Sequence, residues 1–216
     1  MTNILAIETS TDNCSVSLSH GAKIYNFHEL IPKQHTERLL GIIQQILEEG
    51  GLAFKDLDAI SVGVGPGSYT GIRLSCAVAQ GIAYAHNLKG LAISSLELLA
   101  WETHKQTSSK LVISLIEASE KQVLLGESSF NCGEIETTFS LQDKDSAILK
   151  NYPLDTAFVG KGCNFFPEIK DQLLGEFPHA SSLIEITNLR IKNNCLVDPE
   201  SFLPIYLTNE DNWKKL

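Results

Sequence analysis

The residues best placed to do chemistry lie in a glycine-rich stretch, GVGPGSYTGIRLS, at residues 63–75. A glycine turn that leads into a helix can hold phosphate, because the first backbone N–H groups of the helix are free and carry partial positive charge. A P-loop also needs a lysine beside its last glycine, and no lysine occurs between Lys55 and Lys89. The dinucleotide spacing G-x-G-x-x-G is absent as well. We therefore interpret the stretch as a strand-to-helix turn that aims the following helix, formed by Gly65, Pro66, Gly67, Ser68 and Gly71.

A second candidate for chemistry is the stretch KQHTERLL, which begins at Lys33. Two histidines four residues apart on a helix face the same side and can share a metal ion. His35 has Leu39 at that spacing, so we predict no metal site and interpret His35 as a residue that caps or packs at the start of a helix. Cys76 is not a predicted nucleophile, because no base is placed by the sequence to activate it.

Apolar periodicity predicts the elements that position these stretches. Three strands come first, at about residues 4–7, 14–18 and 24–30, and are predicted to form a meander. A helix with apolar residues at spacings of three and four follows, and Gly50-Gly51 ends it. The strand in LDAISVGVG then leads through the glycine turn into a second helix, at about residues 70–86.

Apolar residues surround almost the whole of this second helix, so it must be covered on more than one face. Arg73 and Gln80 form a narrow polar seam, and small residues such as Ala77 and Gly81 would let another backbone approach closely. The sheet of the same domain can cover one face. The sequence leaves two alternatives for the other face: a second layer of the same domain, or a helix of a partner.

The second half of the chain partly repeats this order, which predicts two similar α/β halves. The expected elements are strands at residues 111–116, 122–127 and 156–159, and a helix at residues 163–174. A polar stretch marks the boundary between a first domain of residues 1–104 and a smaller second domain of residues 105–216. The tail, residues 204–216, could pack back on the first domain.

Composition argues against several classes of protein. A net charge of −9 and a pI near 5.1 argue against charge-driven binding to nucleic acid or to an anionic membrane, so any tRNA would be contacted only indirectly, through a partner. The sequence has no run of about 18 apolar residues, and no basic segment precedes its short apolar start. We therefore expect a soluble cytoplasmic protein.

Four stretches together resemble the bacterial TsaB family, formerly called YeaZ: ILAIETSTDNCSVSL, PKQHTERLL, GVGPGSYTGIRLSCAVAQGIA and PIYLTNEDNWKKL. The resemblance is strong over residues 1–100 and good over 204–215. It implies the α/β fold of the actin-like ATPase and sugar kinase superfamily, with two ribonuclease H-like lobes. That superfamily begins with an Asp followed by a glycine-containing hairpin that wraps phosphate, whereas this chain has Glu8 followed by Thr-Ser-Thr-Asp without a glycine.

The resemblance implies a non-catalytic scaffold subunit for making threonylcarbamoyladenosine, the modified base beside the anticodon of tRNAs that read codons starting with A. The TsaB family pairs with TsaD, the subunit that transfers the threonylcarbamoyl group, and TsaE, a small ATPase, joins that pair. A homodimer is expected when the chain is alone. No tightly bound cofactor is implied, and nucleotide at a subunit interface is left open. The alternative is an active enzyme of the superfamily, either a small kinase or a metallo-glycopeptidase.

In the TsaB family the first two helices pair with TsaD. The residues expected at that interface are His35, Arg38, Leu39, Ile42, Arg73, Ala77, Val78, Gln80 and Gly81. No catalytic or metal-binding residue is assigned.

Overall fold

The computed structural model describes residues 2–131, 134–145, 148–169 and 177–206, and its core is built on two β-sheets. The first sheet has the order β3-β2-β1-β4-β5. Its strands are β1 (Ile4–Glu8), β2 (Asn13–His20), β3 (Lys23–Leu30), β4 (Ala59–Gly63) and β5 (Lys89–Ile93). The first three strands form the predicted antiparallel meander, and β4 and β5 run parallel to β1.

Helices cover both faces of this sheet, so β1 is apolar at every position from Ile4 to Ile7. Alternate side chains of a strand point to opposite faces. Leu5 and Ile7 pack with the core under α1 (His35–Gly50) and α2 (Tyr69–His86), whereas Ile4 and Ala6 pack with α4 (Ala180–Ile191). The sheet is therefore the middle layer of three.

The second sheet has the order β8-β7-β6-β9 and repeats the pattern of a meander followed by a parallel strand. Its strands are β6 (Leu111–Glu117), β7 (Gln122–Asn131), β8 (Glu134–Asp143) and β9 (Ala157–Val159). Helix α3 (Ser95–Thr107) joins the two sheets and packs on the second, where the Ser114 hydroxyl donates to the Leu96 carbonyl over 2.8 Å. None of the described helices is long and apolar enough to cross a membrane.

The second half of the chain contains two elements that sequence reasoning did not predict, β8 and α4. Of the predicted helix at 163–174, the structure has a short 3₁₀ turn at Lys161–Phe165, and residues 170–174 lie outside the described part. Helix α4 packs on the first sheet although it follows the second in the sequence. The division of the chain at residue 104 stays a prediction.

A segment that we call the C-terminal strap, residues 197–206, also packs on the first sheet and on α2. Val197 and Gly90 exchange two backbone hydrogen bonds of 2.9 and 3.0 Å, and the Ile205 N–H donates to the Val64 carbonyl over 2.8 Å. The Phe202 side chain is fully buried in the core beneath α2. Of the tail at 204–216, residues 204–206 thus belong to the strap, and residues 207–216 lie outside the described part.

Candidate partner interface

The glycine turn fastens the start of α2 to the connection between β1 and β2. The Ser68 N–H donates to the Ser10 carbonyl over 2.6 Å, and the Thr9 hydroxyl donates to the Gly71 carbonyl over 2.7 Å. A Cβ atom on Gly71 would lie 2.0 Å from the Thr9 carbonyl oxygen, so no larger residue fits without moving the backbone. Ser68 caps the helix by accepting from the Gly71 N–H over 3.3 Å. The turn is therefore held against the β1–β2 connection where α2 begins, and its role in aiming α2 stays a prediction.

Glu8, which stands where the superfamily has its phosphate-site Asp, is enclosed by the protein in this chain. The Glu8 side chain is turned inward and is only 1% exposed. Its Oε1 atom accepts from the Ser10 N–H over 2.5 Å, and its Oε2 atom accepts from the Ser95 hydroxyl over 3.1 Å. Burial raises the pKa of this carboxyl group. Both oxygens of the Glu8 carboxyl therefore face protein donors, and neither is presented at the surface.

The start of α1 does not provide a metal site either. His35 is the first residue of α1, and its Nε2 atom is buried without a hydrogen-bond partner. One turn later Leu39 points into the core. In the described part of the chain, no three His, Cys, Asp or Glu residues are grouped so that they could hold a metal ion. Burial also raises the pKa of the Cys76 thiol to about 12, which keeps it protonated and unreactive at neutral pH.

One side of α2 is covered by the chain's own C-terminal strap. The Gln80 side-chain amide donates to the carbonyls of Pro199 and Phe202 over 3.2 and 3.3 Å. The Arg73 guanidinium donates to the Tyr206 hydroxyl over 2.5 Å and lies 3.7 Å from the centre of the Tyr69 ring. The polar seam expected to contact a partner thus contacts the strap, which sequence reasoning did not foresee.

The neighbouring side of α2 is open in the described structure. Thr70, Ala77, Gly81 and Ala85 are exposed there, and Leu74 and Val78 are half-buried beside them. A Cβ atom on Gly81 would meet nothing within 4 Å. None of these six residues is charged, and Ala77, Gly81 and Ala85 have small side chains or none. We call this surface, residues 70, 74, 77, 78, 81 and 85, the open face of α2.

The structure corrects two of the interface residues expected on α1. Leu39 is fully buried and Ile42 is 4% exposed, so neither can contact a partner while the domain is folded. They form the stripe that packs on the first sheet, and apolar periodicity alone does not separate such a stripe from an exposed apolar face. The exposed apolar residue of this helix is Leu40, at 61%, which sequence reasoning missed. Arg38 is half-buried, with its guanidinium 5.8 Å from the centre of the Phe27 ring.

Comparison with known proteins identifies the family. The family model described as TsaD, tRNA N6-adenosine threonylcarbamoyltransferase, matches residues 28–209. The chain is 31% identical to the tRNA threonylcarbamoyladenosine biosynthesis protein TsaB of Haemophilus influenzae, over 99% of this chain and 96% of that protein. It is 30% identical to the TsaB protein of Escherichia coli, over 99% of this chain and 97% of that protein.

Solved structures agree with these relatives. A structure of YeaZ from Pseudomonas aeruginosa superposes with a TM-score of 0.83 at 29% identity and covers 94% of this chain and 100% of its own. Together with the two mixed α/β sheets, these matches confirm the predicted fold class, two ribonuclease H-like lobes of the actin-like superfamily. The chain belongs to the TsaB (YeaZ) family of tRNA threonylcarbamoyladenosine biosynthesis proteins.

Proposed function

We propose that this chain is a non-catalytic subunit in the threonylcarbamoylation of the adenosine beside the tRNA anticodon, and that it acts by pairing with a TsaD-type subunit. The open face of α2 is the proposed centre of the contact, with Ala77, Val78 and Gly81 in the middle. Arg38 and His35 on α1 and Arg73 and Gln80 on α2 form its proposed edges. The chain would contact tRNA only through this partner.

The observation that carries the proposal is that an apolar surface is left uncovered on a helix whose start is held against the β1–β2 connection. Small residues at 77 and 81 would let a helix of the partner approach closely, and the half-buried Leu74 and Val78 would add apolar area. The glycine turn holds this face in place through the contacts of Gly71 and Ser68 with the β1–β2 connection. A prearranged surface of this kind loses little conformational entropy on binding.

Three local features favour a role without catalysis. The Glu8 carboxyl is enclosed by Ser10 and Ser95, His35 lacks a second histidine one turn later, and the Cys76 thiol is held protonated by burial. The proposal therefore includes no tightly bound cofactor. Nucleotide at an interface shared with the partner is compatible with it.

An active enzyme is the alternative, either a small kinase or a metallo-glycopeptidase. One structural relative, covering 96% of this chain with a TM-score of 0.85 at 29% identity, is described as similar to a peptidase YeaZ. This alternative requires bound nucleotide with magnesium, or a stoichiometric metal. In the described part of the chain, no three His, Cys, Asp or Glu residues are grouped so that they could hold a metal ion, and the Glu8 carboxyl is bonded to the Ser10 N–H. We further propose that the protein works in the cytoplasm, can form a homodimer when alone, and meets a TsaE-type ATPase through the TsaD-type pair.

The proposal is tested by reconstitution with the TsaD-type subunit of the same organism. Light scattering during size-exclusion chromatography should show a heterodimer formed from the two chains. Formation of threonylcarbamoyladenosine in tRNA, with a TsaE-type subunit, ATP and activated threonylcarbamoyl-adenylate present, should fall at least tenfold when this chain is left out.

Two results would contradict the proposal. One is full modification of tRNA without this chain. The other is tight binding of ATP by the isolated chain in calorimetry, or stoichiometric iron or zinc by elemental analysis, together with turnover of a substrate by this chain alone.

A further inference from the structure

A cluster of titratable side chains lies where the start of α4 meets β2, β3 and α3, on the face of the first sheet opposite to α2. The imidazole rings of His28, on β3, and His179, which precedes α4, are stacked with their centres 3.5 Å apart and their planes 10° from parallel. The Asn13 side-chain amide lies 2.9 Å from the Nδ1 atom of His28, and the Ser15 hydroxyl lies 3.1 Å from it. The function proposed above uses none of these residues.

The first turn of α4 depends on this cluster for its hydrogen bonds. His179 stands at the position before the helix but makes no capping bond with its own side chain. The Ser15 hydroxyl instead accepts from the Ala180 N–H over 2.9 Å. The Glu102 carboxyl, on α3, accepts from the His179 N–H over 3.2 Å and from the Ser182 hydroxyl over 2.7 Å. Side chains on β2 and α3 thus accept hydrogen bonds from backbone N–H groups that have no partner within α4.

The two histidines and the glutamate respond to protons in opposite directions. Burial, and then the charge of His179, lowers the pKa of His28 to about 4. Burial, and then the positive charge of Lys105, lowers the pKa of His179. A proton on either ring would also place positive charge at the positive end of α4. Burial raises the pKa of Glu102 to about 7.

Proton linkage gives the direction in which each pKa shift changes the stability of the closed cluster as the pH falls. An imidazole titrates near 6.5 when it is released, and His28 titrates near 4 in the cluster, so acidification through this range favours release. A carboxyl titrates near 4.5 when released and near 7 in the cluster, so acidification between these values favours the closed cluster. Among the described residues, the other charges that act on Glu102 or His179 are those of Lys105 on α3 and Glu185 on α4, and these two groups are paired with each other at 2.5 Å.

We propose that Glu102 and the stacked His28–His179 pair form a proton-balanced joint that holds the first turn of α4 on the first sheet. The carboxyl group takes up the proton that the imidazole pair excludes, so the joint stays closed as the pH falls from neutral to mildly acidic. The Oε2 atom of Glu102 lies 3.9 Å from the Nε2 atom of His179, so the carboxyl group and the imidazole pair belong to one cluster.

Hydrogen exchange of the full chain at pH 7 and pH 5, corrected for the intrinsic exchange rates, tests the joint. In the unmodified protein, protection of the amides of residues 180–187 should change by less than about threefold between the two pH values, relative to the amides of α2. In Glu102→Gln, which keeps an acceptor oxygen but does not titrate, the same amides should lose protection about tenfold or more on acidification. In His28→Phe, which keeps a ring but does not titrate, they should gain protection by a similar factor.

The proposal is overturned if either variant follows the same pH dependence as the unmodified protein, or if the unmodified protein loses protection in α4 as strongly as Glu102→Gln does. If His28→Phe does not fold, proton NMR of the unmodified protein measures the pKa of His28 and tests the proposal independently. A His28 C2 proton that titrates below about pH 5 supports the joint, and one that titrates at the ordinary imidazole value near 6.5 contradicts it.

Discussion

The two sides of α2 use small residues for opposite purposes. On the inner side Gly71 and Ser75 are buried, and a Cβ atom on Gly71 would collide with the Thr9 carbonyl. On the open face Ala77 and Gly81 are exposed, and a Cβ atom on Gly81 would meet nothing. The inner small residues let the chain's own backbone come close, whereas the outer ones leave room that this chain does not fill. A small residue in a helix is therefore informative only once its neighbours are known.

Among substitutions on the two sides of α2, the largest change in stability is expected from Gly71→Leu on the inner side. Its side chain cannot fit between α2 and the β1–β2 connection, so we expect the free energy of unfolding in urea to fall by about 3 kcal/mol. Ser75→Ala offers a milder comparison at the same buried side, because it removes only the hydroxyl that donates to the Gly63 carbonyl over 2.9 Å. Unchanged stability of Gly71→Leu would show that the glycine turn does not fix the direction of α2.

Gln80→Ala tests the boundary between the two sides. The variant leaves the Pro199 and Phe202 carbonyls without their side-chain donor, and we expect a loss of about 1 kcal/mol in the free energy of unfolding. Hydrogen exchange should show the loss mainly at the C-terminal strap, for example at the Ile205 amide. Equal loss of protection throughout the molecule would mean that the strap is not a separate unit on α2.

The smallest effect on stability is expected from Gly81→Leu. The side chain enters open space, and leucine favours the helix more than glycine does, so the free energy of unfolding should rise by about 0.5 kcal/mol. A destabilisation similar to that of Gly71→Leu would mean that the open face of α2 is covered by the chain itself.

Much of the first sheet could be predicted from the sequence because its signals are local. Buried strands such as Ile4–Glu8, the end of α1 at Gly51, and the glycine turn each depend on residues close together in the chain. Helix α4 was missed although Ala180, Leu183 and Thr187 have helical spacing, because no side chain in the sequence marks its start. The capping groups come from Ser15 and Glu102, far away in the chain.

The candidate site could be predicted only in part for a similar reason. Ala77 and Gly81, which the sequence interpretation places at the interface, are exposed, and their contact with a partner stays a prediction. The burial of Leu39 depends on which stripe of α1 faces the sheet. The contact of Gln80 with the strap joins segments about a hundred residues apart in the chain. Apolar spacing reports that a face is apolar but not what covers it.

The central claim is that the open face of α2 receives a TsaD-type subunit, and the affinity of Gly81→Leu for that subunit tests it most directly. Calorimetry should compare this variant with the unmodified chain and with Thr138→Leu, which adds an exposed leucine on β8 of the second sheet. We expect Kd to rise at least tenfold for Gly81→Leu, about 1.4 kcal/mol, and to stay unchanged for Thr138→Leu. An unchanged Kd for a folded Gly81→Leu variant would contradict the account.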